Sequence, residues 1–162
     1  MIARARFAPV AQFFLYLLAA NSIAPADASA QTAPASVMPE GELSNAVATA
    51  RRTLPEFWQR WRANEPQETG YAVKIFVGDQ FGAEQIWVSQ LQARDGRILG
   101  VVDTRPLRTR FVQAGQRIEI RPDSIVDWMY FRNGRMVGNH TGRVMLKYLP
   151  PAEAEKRQLL FE

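Results

Sequence analysis

Cysteine is absent from the 162 residues, so no disulfide staples the fold and no thiolate is on hand as nucleophile or metal ligand. Histidine occurs once, as His140. One imidazole with scattered carboxylates does not build a zinc or copper site, and no DxDxDG loop offers one for calcium. The glycines stand singly in turns, so no phosphate-cradling loop is present. No serine sits in a GxSxG elbow. We therefore expect neither metal nor cofactor, and the chain leans away from being an enzyme. Long hydrophobic runs are missing too: the strongest, Phe13 to Ala20, falls short of the roughly 20 residues that span a bilayer.

Lysine is scarce, with 3 against 17 arginines in a chain of formal net charge +4. Arg105, Arg108, Arg110, Arg117 and Arg121 form a loose run. Its plain reading is a solvated strand edge. Its functional reading is a binding edge, through Arg105, Arg108 and Arg110, for anionic envelope polymers or lipid head groups.

What is present begins with a leader. Arg4 and Arg6 precede the apolar run, and Ala28-Ser29-Ala30 follows it. This is the pattern of a secretory signal peptide over residues 1–30, with Ala20-Asn21-Ser22 as an earlier possible cut. A periplasmic or secreted bacterial protein is expected, with no stable membrane insertion after cleavage. Nucleic acid is then a poor partner. Residues 31–41, QTAPASVMPEG, read as a flexible lead-in. Residues 42–162 suffice for one domain.

The best-specified stretch is Val126 to Leu146, VDWMYFRNGRMVGNHTGRVML. Asn133-Gly134 is the pair favoured in a two-residue type I′ turn, where both positions need positive φ. The register then sets Arg132 against Arg135, Phe131 against Met136, Tyr130 against Val137, Met129 against Gly138, and, further out, Trp128 against Asn139 and Asp127 against His140. Trp128, Tyr130 and Val137 share one face with Val126 and Thr141; Asp127, Met129, Phe131, Met136, Gly138 and His140 share the other. Both faces are apolar, so burial on two sides is expected, with the Arg132/Arg135 end in water.

Upstream, Leu43, Val47, Ala50 and Leu54 follow helical spacing, and Thr53-Leu54-Pro55-Glu56 reads as a capping box. The expectation is helix, kink, helix, with Phe57, Trp58 and Trp61 docking on a sheet rather than stacking a ligand. Tyr71 to Val77, Gln85 to Ala93 and Ile98 to Asp103 alternate as three meandering strands, the last two joined by a tight turn at Asp95-Gly96. Gly115 to Ile120 adds a short strand, and Leu149-Pro150-Pro151 ends the last one before a short terminal helix. The order argues for α+β: an N-terminal kinked helical unit packed on a mostly antiparallel sheet of five to six strands, with a short C-terminal helix and the helical units segregated to one side. A small SH3-like barrel with helical additions is the alternative.

Several stretches resemble the YegJ-like family of exported bacterial proteins, whose shared domain (DUF2314) has no assigned function. They run from Ala50-Arg51-Arg52-Thr53-Leu54-Pro55-Glu56-Phe57 through Trp87-Val88, Arg94-Asp95-Gly96 and Gly115-Gln116-Arg117 to Asp127-Trp128-Met129-Tyr130, Asn133-Gly134, Val137-Gly138 and Thr141. The resemblance implies fold and export, and leaves chemistry open. Where the family pattern has an aromatic residue before the threonine, this chain has His140.

The sharpest catalytic idea is an Asp127–His140 pair, a carboxylate orienting an imidazole in a small hydrolase. The competing reading is a hydrogen bond that closes the hairpin. Trp128 and Tyr130 could line a groove for a peptide or sugar, or fill the core. The expectation drawn from all this is a non-catalytic binding or protein-interaction module of the cell envelope, its partner an envelope protein or an anionic polymer.

Overall fold

The structure, a computed structural model, describes residues 40–162. The expected leader and most of the lead-in lie outside the described residues, while Glu40 and Gly41 open helix α1 (Glu40–Ala63). That helix is single, where helix, kink, helix was expected. Thr53 does not cap a second helix: its hydroxyl donates back to the Thr49 carbonyl at 2.9 Å, a bond that removes it from capping. Pro55 stands inside the helix, and its ring nitrogen leaves one carbonyl of the preceding turn without an intrahelical donor. The helix is pinned from outside at this point. The Trp128 indole Nε1 donates to the Ala50 carbonyl at 2.9 Å, and Arg51 Nε donates to the Ile125 carbonyl at 3.0 Å.

Six antiparallel strands follow: β1 (Glu68–Asp79), β2 (Gly82–Arg94), β3 (Arg97–Val102), β4 (Arg117–Glu119), β5 (Ile125–Arg132) and β6 (Arg135–Gly138). Their order in the sheet is β4-β3-β2-β1-β5-β6. The sheet is open, with β4 and β6 as its edges, and does not close into a barrel. Both tight turns form as read: Asp95 and Gly96 have φ of 49° and 74°, and Asn133 and Gly134 have 48° and 79°. The pairings Arg94 with Arg97, and Arg132, Phe131, Tyr130 and Met129 with Arg135, Met136, Val137 and Gly138, are those expected.

Strand alternation sorts the core into two layers. Val73, Ile75, Val88, Trp128 and Tyr130 meet Ala50 and Phe57 of α1 on one face. Ala72, Trp87, Met129 and Met136 occupy the other, beneath Leu146 and Phe161 from the C-terminal segment. The helical parts are thus not confined to one side, because two-sided hydrophobic strands need cover on both faces.

The last strand stops at Gly138, where a run to Leu149 was expected. Gly138 and Asn139 adopt φ of 80° and 51° in succession, which turns the chain out of the ladder. The turn admits no side chain at Gly138: a Cβ there would lie 2.4 Å from the Trp128 carbonyl oxygen. Beyond it, residues apolar enough for a strand wind into helix α2 (His140–Leu146), and α3 (Pro151–Gln158) follows as expected. The Arg132/Arg135 end is not simply in water. Arg132 Nε pairs with Glu68 at 2.9 Å, and Arg135 Nε donates to the Phe161 carbonyl at 2.9 Å, so each cation has its own acceptor.

Gly134 and Gly138 share a left-handed φ, yet only Gly138 is crowded. Gly134→Ala should cost about 1–2 kcal/mol from backbone strain alone, and Gly138→Ala distinctly more. Urea unfolding of the two variants compares them directly, and equal losses would contradict the close approach to Trp128.

Candidate functional site

Asp127 and His140 are brought together, though not as a side-chain pair. The Asp127 carboxylate is fully buried and turns onto the start of α2. Its Oδ1 accepts from the main-chain N–H of Trp128 at 2.9 Å and of His140 at 3.1 Å. Oδ2 accepts from the Thr141 N–H at 2.8 Å and from the Thr141 hydroxyl at 2.6 Å. Each acceptor satisfies a donor that the first turn of a helix leaves free. The imidazole meanwhile lies edge-on to the Trp128 ring at 5.4 Å, with Nε2 buried and without a hydrogen-bond partner. Burial lowers the His140 pKa, against the opposing pull of the Asp127 charge. The expected dyad depended on cross-strand pairing past Gly138; the turn into α2 replaces imidazole by main chain at the carboxylate.

One lateral row across the sheet was missed by sequence reasoning. Asp127 stands opposite Lys74 on β1, and Lys74 stands opposite Trp87 on β2. Asp103, just past β3, donates its N–H to the Trp87 carbonyl at 2.9 Å. The Lys74 ammonium donates to the Thr141 hydroxyl at 2.6 Å and lies 4.7 Å from the centre of the Trp87 ring, a favourable cation–π placement. Burial lowers the Lys74 pKa while Asp127 raises it, with burial prevailing. A lysine so placed beside a hydroxyl has the makings of a general base. Thr141 and Asp127 are buried, and the ammonium, the hydroxyl and the carboxylate join there in one chain of contacts. Its one sequence signal was a lysine at an alternate position in an otherwise apolar strand.

Trp128 and Tyr130 are built into the core. Trp128 packs on Phe57 at 5.4 Å, Tyr130 stacks on Tyr71 at 5.0 Å, and both rings are buried. The expected aromatic helix face divides similarly, with Phe57 fully buried and Trp58 packed against the same core. Two shallow grooves are open to solvent. One, of about 350 Å³, lies between α1 and α2 and is lined by Glu42, Asn45, Thr49, His140, Arg143 and Lys147. Its cations are engaged: Lys147 pairs with Glu42 at 2.8 Å, and Arg143 Nε donates to the Gly138 carbonyl. The other, of about 380 Å³, lies between Trp61 and the β2–β3 turn.

Arg105, Arg108 and Arg110 stand exposed on the loop between β3 and β4, and that loop is folded around two carboxylates. Glu84 of β2 accepts from the N–H groups of Leu107, Arg108 and Thr109 at 3.0, 2.7 and 2.9 Å. Asp79 of β1 accepts from the Thr109 hydroxyl and the Arg110 N–H, both at 2.8 Å, and from Phe81 and Gly82 in its own turn. Three successive N–H groups converging on one anion form a nest. The loop base is closed by Gly115 N–H to the Val102 carbonyl at 2.8 Å, and Val112 reaches into the core. The β1–β2 turn and the loop thereby become one rigid end of the molecule, with the Arg110 guanidinium 4.6 Å above the Phe81 ring. The sequence showed the arginines; it did not show that Phe81, far upstream, joins them.

Burial raises the pKa of both carboxylates, but the hydrogen bonds onto them outweigh it and hold both below the ordinary range. Groups depressed on folding stabilise the loop fully above the ordinary carboxylate range, and that contribution disappears as pH falls through the lowered values. Amide chemical shifts of residues 107–110 should therefore stay constant from neutrality down to about pH 5 and move together only in stronger acid. Movement near pH 6 would contradict the carboxylate clasp. At the other end, Asp127→Asn should cost roughly 1–3 kcal/mol by turning an acceptor into a donor facing buried donors. His140→Phe should stay within about 1.5 kcal/mol. Thermal unfolding of the pair decides between a structural carboxylate and an Asp–His unit.

Comparison with known proteins gives a family and no activity. The family model described as an uncharacterized protein conserved in bacteria (DUF2314) matches residues 40–159. The chain is similar to the uncharacterized protein YegJ of Escherichia coli (strain K12), 28% identical over 114 residues that cover 70% of this chain and 73% of the relative. No solved structure matches. With the family model spanning the helix α1, all six strands and both C-terminal helices, the chain belongs to the DUF2314 family of bacterial proteins.

Proposed function

We propose that this protein is a non-catalytic binding module of the bacterial cell envelope, and that it docks an anionic partner through the end bearing Arg105, Arg108 and Arg110. One observation carries the reading. The acidic side chains at this end, Asp79 and Glu84, face main-chain N–H groups of the loop, while the arginines face solvent. No acidic residue occurs from Arg105 to Ile118. Cations presented on a preordered loop lose little conformational freedom on meeting an anion, and their shared sign steers encounter. The leader pattern supports the envelope location. Among the described residues no helix is long and apolar enough to cross a membrane, and no group of three or more histidine or acidic side chains is placed to hold a metal ion.

Retention on a heparin column, a soluble polyanion, tests the reading. Binding should weaken steeply as salt rises from about 0.05 to 0.5 M, because exposed charges are screened over about 10 Å at 0.1 M. The triple substitution Arg105→Gln, Arg108→Gln, Arg110→Gln should reduce affinity by at least roughly tenfold, at up to about 1 kcal/mol per exposed pair. Retention that ignores salt, or that survives the triple substitution, would refute it.

A further inference from the structure

The arginine-bearing end has a second property that anion binding alone does not use. Three of the seven large apolar side chains exposed among the described residues stand here: Leu107 at 76%, Phe111 at 69% and Phe81 at 56% exposed. Phe81 stands in the β1–β2 turn, and Leu107 and Phe111 stand on the adjoining loop. The two segments touch, since a Cβ on Gly82 would lie 3.1 Å from both the Cβ and the carbonyl oxygen of Arg108. Exposed apolar groups gathered within a polar rim mark an interaction surface.

We infer that this end docks on the surface of a lipid bilayer carrying anionic head groups, a partner that rests on the anion-docking reading above and narrows it. Phe81, Leu107 and Phe111 enter the boundary between head groups and acyl chains, and Arg105, Arg108 and Arg110 sit level with the phosphates. The form of the site favours this occupant. The apolar side chains stand on a turn and a loop, and none of them lines either of the two grooves described above. Their rim presents Arg105, Arg108 and Arg110 to solvent, complementary to anionic lipid, while Asp79 and Glu84 are turned onto the loop's own backbone. Amphipathic elements that lie on membranes combine such apolar insertion with a cationic rim, and the resulting association is reversible. The clasp by Asp79 and Glu84 matters to this role, because it keeps the main-chain N–H groups of residues 107–110 satisfied while their side chains leave water.

Flotation of the protein with vesicles tests the inference, using phosphatidylcholine alone and phosphatidylcholine with 30% phosphatidylglycerol, and heparin retention run in parallel. Binding to the anionic vesicles and not to the neutral ones is expected, weakening about fivefold for each of the three arginines replaced by glutamine. Leu107→Ser with Phe111→Ser, at two exposed positions, should weaken vesicle binding at least tenfold and leave heparin retention unchanged. Retention on heparin without vesicle binding, or vesicle binding indifferent to the serine pair, would overturn the bilayer inference while the anion-docking reading stands. Binding to neither probe would overturn both. Self-association that the serine pair abolishes, without vesicle binding, would reassign the surface to a second copy of the chain.

Discussion

The Asp127 carboxylate accepts four hydrogen bonds inside the protein, three of them from main-chain N–H groups, and Glu84 and Asp79 accept a similar set at the far end of the sheet. These carboxylates hold the parts of the chain that neither the helix nor the strand ladder specifies. Asp127 holds the exit from β6 into α2, and Glu84 with Asp79 holds the loop between β3 and β4. Hydrogen bonds to a charged acceptor are the stronger kind, and leaving the buried Asp127 carboxylate unpaired would cost several kcal/mol. Geometry and charge therefore reinforce each other at each clasp.

The same arrangement decides what the surface looks like. With a net charge of only +4, the chain would show mixed charge everywhere if its acids and bases were spread evenly. Turning Asp79 and Glu84 onto the loop's backbone leaves Arg105, Arg108 and Arg110 facing solvent, on a stretch with no acidic residue from Arg105 to Ile118. The apolar side chains of the same end have no such cover. A rigid, cationic and apolar tip follows from a folding solution, and it is this tip that sets the end apart from the two grooves, whose charges are already paired or sparse.

The tight turns were legible in the sequence because their residue pairs carry their own backbone preference. Asn133-Gly134 and Asp95-Gly96 adopt left-handed angles cheaply, and pairings out to Gly138 followed by counting. The strand-to-helix change at Gly138-Asn139 was not legible. Val144, Met145 and Leu146 suit a strand as well as a helix, and the decision came from Asp127, whose reach to the start of α2 is a tertiary contact. Thr53-Leu54-Pro55-Glu56 misled for a related reason: the capping pattern is local, whereas Trp128 and β5 pin the helix from outside. At the proposed docking end the arginines were visible as a run, with Leu107 and Phe111 among them, but Phe81 arrives from the β1–β2 turn, which no local pattern links to residues 105–111. Lys74 was hidden in the same way, since its partners Asp127, Thr141 and Trp87 come from three other segments.

Because the chain has no cysteine, a polarity-sensitive fluorophore can be placed at one chosen site. Leu107→Cys puts it at the docking end, and Arg97→Cys puts it beside the opposite turn of the sheet. The emission of each labelled protein, read with vesicles containing 30% phosphatidylglycerol, is the most direct test of which surface meets the membrane. The account predicts a blue shift at position 107 and none at position 97. A shift at position 97 alone, or equal shifts at both, would contradict it.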